Sequence, residues 1–364
     1  MTDQEYMRRA LELAVRGAGH VSPNPMVGAV VVKDGRIIGE GWHEKIGGLH
    51  AERNALARLT ESAEGATIYV TLEPCCHWGR TPPCTEAILE HKLARVVVGC
   101  LDPNPKVAGK GIRILEDAGV ECTVGVLENE CLAVNEVFFH YITKKTPFVV
   151  AKYAMTLDGK IAAYTGDSKW VTGEEARHHV HETRRRLSAI MVGIGTVMAD
   201  DPMLNCRIEE GVDPTRLVCD SKLRIPLESQ LVKTAKDIPT IVFCADYMMD
   251  KKKRLEKAGV KVVVLPDANN ERVDLAAVMQ WLGENGIDSV LLEGGGTLNF
   301  SAMRLGLVDR VQAYIAPKII GGAQAQTPVG GEGFAKMADA MELSEMSITR
   351  LGADFLLEGR LRKD

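Results

Sequence analysis

A chain of 364 residues is long enough for two domains, each burying a full core. A formal net charge of −5, with acidic and basic residues interspersed, supplies no electrostatic footprint for long nucleic acid. No apolar run approaches the roughly 18 residues that span a bilayer, the first five residues lack the basic and apolar regions of a secretion signal, and the odd count of nine cysteines argues for reduced thiols and a metal site over a disulfide framework, so a cytoplasmic protein is expected.

In chain order, Thr2 and Glu5 have capping-box spacing, and Met7, Ala10, Leu11, Ala14 and Val15 follow at helical intervals. Residues 27–33 and 36–42 are β-rich and flank Asp34-Gly35, a hairpin signal. A helix follows His50. Then come a strand at 66–72, a helix at 85–91, a strand at 95–99, a helix at 111–118, a strand at 120–125 and a helix at 128–141. Strands alternating with helices predict an α/β domain whose largely parallel sheet has the opening hairpin at one end. The polar stretch 143–147, ending in proline, divides the chain into domains 1–146 and 147–364.

The second half again reads as α/β. Strands are expected at 148–155, 189–193, 217–220, 240–244, 260–265, 289–292, 308–316, 343–350 and 355–361. Thr172 and Glu175 form a second capping-box pattern opening a helix through Arg186, and further helices are expected at 273–283 and 298–305. The glycine run 294–296 lies between strand and helix, where main-chain N–H groups can cradle a phosphate; a glycine-rich turn also occurs for geometric reasons alone. It lacks the G-x-G-x-x-G fingerprint, which disfavours a conventional Rossmann domain. Residues 196–207 are expected to be a polar loop with more functional side chains than a connector needs.

The chemistry concentrates between His50 and Cys84. One imidazole and two thiols (His50, Cys75 and Cys84) suit a tetrahedral Zn²⁺ with three protein ligands and an open fourth position. Glu52, two residues past His50, can reach that position as an acid/base without being a ligand. The order His-x-Glu, then Pro-Cys-x-x-Cys, belongs to zinc deaminases; here, however, eight residues separate the cysteines instead of two. Two alternatives stand beside this: ordinary buried residues, since free cysteine packs as a small hydrophobe, or a structural zinc with Cys76 or His77 as fourth ligand.

His50-Ala51-Glu52 together with the run from Glu73-Pro74-Cys75 through Pro82-Pro83-Cys84 resembles the bifunctional riboflavin-biosynthesis deaminase/reductase family, which carries the same widened cysteine spacing. Pro23-Asn24-Pro25, the segment 102–111, Lys152, 157–160, Ser168, Trp170, Thr172 and 316–318 extend the resemblance over essentially the whole chain. Cys76 departs from it, where a small residue such as serine is expected.

That resemblance implies a cytidine-deaminase-like α/β/α domain followed by a dihydrofolate-reductase-like α/β domain. It implies a zinc-dependent pyrimidine deaminase (a hydrolase) joined to an NADPH-dependent reductase (an oxidoreductase). The first would deaminate 2,5-diamino-6-(5-phosphoribosylamino)pyrimidin-4(3H)-one, with Glu52 moving the protons. The second would reduce the ribosyl group of 5-amino-6-(5-phosphoribosylamino)uracil to ribityl. Deaminase substrate contacts are then Asn24, His43, His77, Arg80, Asp102 and Asn104. NADPH contacts are Ala154, Trp170, Thr196, Asp200, Ser221, Gly295, Gly296, Thr297, Leu298, Asn299, Phe300 and Ser301. Reductase substrate contacts are Lys152, Ser168, Arg184, Leu204, Arg207 and Glu293, with Lys152 or Glu293 assisting proton movement. Two-domain enzymes of this kind are often dimers or tetramers, so a homo-oligomer (dimer or tetramer) is expected, with no nucleic-acid or membrane partner.

His178, His179 and His181 could imitate a metal cluster, but the arginines around them suggest a solvated helix face; Lys251-Lys252-Lys253-Arg254 reads as an exposed helix start. Rival functions are another nucleobase or nucleoside zinc deaminase with a non-catalytic, metabolite-binding second domain, or a degenerate scaffold. The wide cysteine spacing and the intact His50, Glu52, Cys75 and Cys84 set count against them.

Overall fold

Thr2 accepts the Glu5 main-chain N–H while the Glu5 carboxylate takes the Thr2 N–H, the capping box that opens α1 (Asp3–Ala14). In the computed structural model, which describes residues 1–79, 81–104, 107–209 and 211–362, this helix begins the first of two compact units, Met1–Lys145 and Thr146–Asp364.

In the first unit the hairpin β1 (Gly28–Lys33) and β2 (Arg36–Trp42) leads to α2 (Ala51–Ala57), β3 (Thr67–Leu72), α3 (Cys84–Glu90), β4 (Arg95–Cys100), α4 (Lys110–Asp117) and β5 (Glu121–Val124). The sheet order is β2-β1-β3-β4-β5; β1 runs antiparallel to both neighbours, and β3, β4 and β5 are mutually parallel. The apolar stripe Met7, Ala10 and Leu13 of α1 is buried in the core this sheet supports. Helix and sheet approach so closely that a Cβ on Gly28 would land on the Ala10 carbonyl oxygen.

The single helix expected at 128–141 is instead two, α5 (Glu128–Val134) and α6 (Glu136–Lys144). Asn135 interrupts them because its side chain is committed elsewhere. Its Oδ1 accepts the Met26 N–H at 2.8 Å and its Nδ2 donates to the Met26 carbonyl at 2.9 Å.

The second unit contains β6 (Phe148–Thr156), α7 (Glu174–Arg186), β7 (Ala189–Gly193), α8 (Ile194–Asp200), β8 (Thr215–Cys219), α9 (Gln230–Lys233) and β9 (Thr240–Cys244). It continues with α10 (Met249–Lys257), β10 (Lys261–Val264), α11 (Leu275–Glu284), β11 (Ser289–Leu292), α12 (Gly296–Arg304), β12 (Arg310–Ala316), β13 (Leu343–Leu351) and β14 (Asp354–Leu361). The nine strands are ordered β10-β9-β8-β7-β11-β6-β12-β14-β13, parallel as far as β12 and antiparallel beyond it. Residues such as Val290, Leu291 and Leu292 of β11 are fully buried, as a strand covered on both faces requires.

Two expectations change here. The capping box at Thr172 and Glu175 does not form. Gly173 caps α7 without a side-chain bond and donates its N–H to Asp354 Oδ2 at 2.7 Å, while Glu175 lies against Gly352. Thr196 and Asp200, expected in a loop, lie on α8. No helix among the described residues is long and apolar enough to cross a membrane.

Gly28→Ala should destabilise the first unit by about 2 kcal/mol or more, because backbone rather than a flexible side chain must move. A lowered thermal transition with loss of the first unit's activity is the expected outcome; an unchanged melting curve would contradict the close approach.

Candidate active sites

In the first unit, the site is assembled from helix N-termini at the C-terminal edge of β3. His50 is the extended N-cap of α2, Cys75 follows β3 by way of Glu73 and Pro74, and Cys84 is the first residue of α3. Their ligand atoms all lie within 4.8 Å of one another, which no other group of three His, Cys, Asp or Glu residues achieves among the described residues. His50 Nδ1 is 3.4 Å from Cys75 Sγ and 3.5 Å from Cys84 Sγ. A tetrahedral zinc with Zn–S of about 2.3 Å and Zn–N of about 2.0–2.1 Å separates such ligands by about 3.5 Å, so the donor set fits that metal. Neither Cys76 nor His77 joins the group.

Hydrogen bonds from Cys84 hold the Cys75 thiol well below its usual range, opposed by burial and helped by His50. The Cys84 thiol is in turn raised by Cys75 and by burial. Burial is the main cause that pushes the Glu52 carboxyl up to about 7, with Cys75 adding to it. A carboxyl with that value can both take and return a proton near neutral pH.

Around this centre the polar side chains are tied by specific bonds. His43 Nδ1 lies 3.0 Å from the Leu49 carbonyl, which leaves Nε2 to accept from Asn24 Nδ2 at 3.3 Å; burial lowers the His43 pKa, consistent with a neutral ring. Burial raises the Asp102 carboxyl to about 6, and Asp102 Oδ1 accepts the Asn104 N–H at 2.8 Å. His77 Nδ1 is buried with no hydrogen-bond partner among the described residues. Arg53 donates to the Pro82 and Pro83 carbonyls at 3.0 and 2.7 Å, securing the end of the wide cysteine loop to α2. Arg80 lies outside the described residues.

Glu73, for which the sequence alone implies no role beyond membership of the 73–84 motif, organises the segment opposite. Its buried carboxylate accepts the N–H of Asp102 at 3.3 Å, Gly109 at 2.9 Å and Gly111 at 3.0 Å. A carboxylate at a strand end, facing a glycine-spaced segment, was the available signal.

The second unit holds a cavity of about 1560 Å³. Ala154, Trp170, Thr196, Asp200 and Ser221 line it, as do Gly295, Gly296, Thr297, Leu298 and Ser301. Asn299 and Phe300 do not. Asn299 is buried and donates to the Pro328 carbonyl at 2.9 Å, while Phe300 packs edge-on to Phe334. A Cβ on Gly295 would meet nothing within 4 Å, and this N-cap of α12 has no side-chain bond, so its main chain is open to the cavity. That fits a nucleotide phosphate. Gly296, by contrast, is pressed against Thr327 and Gly330.

Lys152, Ser168, Arg184, Leu204, Arg207 and Glu293 also line the cavity. Arg184 grips Glu293 with two bonds, Nε to Oε1 at 2.8 Å and Nη2 to Oε2 at 3.0 Å, and Lys152 Nζ lies 3.4 Å from Oε2. Burial opposes the Glu293 charge, but the Arg184 and Lys152 cations outweigh it and hold the carboxyl down at about 2. The segment carrying Leu204 and Arg207 is tied down by Arg184, which donates to the Asn205 carbonyl at 3.0 Å, and by buried Arg216, which donates to the Met203 carbonyl at 3.2 Å. The expected solvated histidine face is corrected here. His178 is exposed, but His179 bonds the Tyr314 hydroxyl at 2.7 Å and His181 is buried on the cavity wall against Arg207.

Glu73→Gln should lower turnover at the first site by roughly tenfold or more, since a neutral amide cannot satisfy three main-chain donors. Activity of the second unit, assayed in the same preparation, should be unchanged; an unaffected first site would show that the 102–111 segment holds its shape without Glu73.

Comparison with known proteins gives this geometry a family. Residues 1–100 match the cytidine and deoxycytidylate deaminase zinc-binding region, and residues 147–357 match the RibD C-terminal domain. A riboflavin biosynthesis protein RibD of Actinobacillus pleuropneumoniae is 54% identical over 358 residues, covering 98% of this chain and 95% of that one. The RibD of Escherichia coli K12 is 38% identical over 98% of this chain and 99% of its own. A crystal structure from Thermotoga maritima, described as a diaminohydroxyphosphoribosylaminopyrimidine deaminase/5-amino-6-(5-phosphoribosylamino)uracil reductase, superposes with a TM-score of 0.87 at 39% identity, covering 99% of both chains. Acinetobacter baumannii RibD gives a TM-score of 0.87 at 37% identity and the same coverage. With full-length relatives at this identity, and a deaminase region and a reductase domain matched in order, the chain belongs to the RibD family of riboflavin biosynthesis proteins.

Proposed function

We propose that the chain catalyses two consecutive steps of riboflavin synthesis: hydrolytic deamination of a phosphoribosylated diaminopyrimidine, then NADPH-dependent reduction of the ribosyl group of the resulting uracil to ribityl. The observation that carries the first step is the convergence of His50, Cys75 and Cys84 with the buried Glu52 beside them. The substrates are those of the deaminase and reductase activities by which the Thermotoga maritima protein is described.

At the first site His50, Cys75 and Cys84 would hold zinc, which when bound makes water a stronger acid and nucleophile. Glu52 takes the proton as the water oxygen bonds to the ring carbon bearing the 2-amino group. It then returns that proton to the nitrogen that departs as ammonia. Asn24, His43, His77, Asp102 and Asn104 orient the ring, and Arg80 belongs to the same set by its match to the family pattern. At the second site a nicotinamide cofactor, when bound, would supply hydride for the ribose C1′. Opening the sugar leaves the ring oxygen in need of a proton. Glu293, held down at about 2, stays ionised and cannot give it, which leaves the Lys152 ammonium as the donor. NADPH rather than NADH is supported by Arg224 and Arg272, which line the cavity near Ser221, itself bonded to the Val273 N–H at 3.2 Å; such cations suit a ribose 2′-phosphate.

Glu52→Ala should cut ammonia release at least about a hundredfold while bound zinc and NADPH oxidation on the deaminated substrate stay near wild type. Loss of zinc in that variant would mean Glu52 is a ligand. In a cofactor titration, half-saturation should need roughly tenfold less NADPH than NADH, from losing one charged contact; binding of neither would remove the reductase half.

A further inference from the structure

His181 is a buried histidine whose partners are unusual. A neutral imidazole has one acceptor nitrogen and one N–H. Donors of Arg207 nevertheless lie against both nitrogens. The Arg207 main-chain N–H is 3.2 Å from Nδ1, and its Nε and Nη2 are 3.3 and 3.1 Å from Nε2. The main-chain donor is fixed by the segment that Arg184 and Arg216 tie down, so Nδ1 is the acceptor. Nε2 then carries the proton and points it at a guanidinium. A neutral N–H donor and a guanidinium facing each other in a cavity wall lack an acceptor between them.

The charges nearby identify that acceptor. Arg184 and Lys152 are both paired with Glu293, whereas no carboxylate among the described residues lies within salt-bridge distance of Arg207, and its described side-chain bonds go only to the neutral ring. His181 faces Arg184 on its own helix, Arg207 from the 203–207 segment, Glu293 after β11 and Lys152 on β6; burial and the two arginines push its pKa down to about 4. An anionic oxygen accepts from both donors at once and also answers the guanidinium charge that no described carboxylate meets.

We propose that His181 completes the subsite for the ribose phosphate, its Nε2–H and the Arg207 guanidinium donating together to a phosphate oxygen while Nδ1 keeps Arg207 in place. This assignment rests on the reductase function proposed above.

The test compares the phosphorylated uracil substrate with its dephosphorylated ribosyl counterpart in NADPH-oxidation assays of wild type, His181→Ala and His181→Gln. For the alanine variant, KM on the phosphorylated substrate should rise about tenfold, as for one lost bond to a charged group. Turnover number, NADPH affinity and all constants on the dephosphorylated substrate should hold, and glutamine, whose amide can donate, should restore much of the loss. Equal loss on both substrates, or none on the phosphorylated one, would overturn the assignment. Inactivity of the wild type on both substrates would remove the reductase function and this assignment together. A measurement independent of variant folding is the His181 ring signal in nuclear magnetic resonance of the wild type. Added inorganic phosphate should shift it, and a signal unmoved at saturation would overturn the proposal.

Discussion

Two thiols and an imidazole can approach one another as closely as they do here only because each is fixed at a chain reversal rather than on a free surface. His50 and Cys84 open helices, and Cys75 follows the central strand β3. Main-chain N–H groups in such positions favour thiolate, the form a metal binds; the Cys84 N–H points at Cys75 Sγ from 3.4 Å. The rest of the first site follows from that constraint. Glu52 must sit one position into α2, and so it is buried beside the donors with its carboxyl raised. Glu73, two residues before Cys75, turns its carboxylate to the N–H groups of Asp102, Gly109 and Gly111.

The second site uses charge differently. Glu293 is a carboxylate made tolerable in the interior by Arg184 and Lys152, and breaking such a set leaves an uncompensated buried charge. Arg207 is left without a carboxylate among the described residues, in a wall that already contains a neutral ring. A cavity that pairs two of its cations with one internal carboxylate and leaves a third without one suits an anionic substrate, and the open main chain at Gly295 suits a nucleotide phosphate.

What was legible in the sequence is what is local in it. Alternation of strands and helices gave the parallel sheets, and the short spacing from His50 to Glu52, with proline before each cysteine, gave the first centre. Pairings between distant residues were not legible. Asn135 splits a helix because of Met26, 109 positions away, and Gly173 displaces a capping threonine because of Asp354, 181 positions away. Contiguity also misleads. The run 295–301 resembles a continuous cofactor motif, but a helix turns Asn299 and Phe300 into the core. His181 looked solvated for the complementary reason: the arginines that surround it in sequence do not all share its face of α7, and Arg184 itself turns inward to Glu293.

The central claim is that His50, Cys75 and Cys84 together hold one zinc ion with a fourth position left for water. Zinc-edge X-ray absorption of the isolated protein tests it directly. Two sulfur neighbours at about 2.3 Å with nitrogen or oxygen neighbours at about 2.0–2.1 Å are the expected shell. A shell of three or four sulfurs, or protein that takes up no zinc, would contradict it.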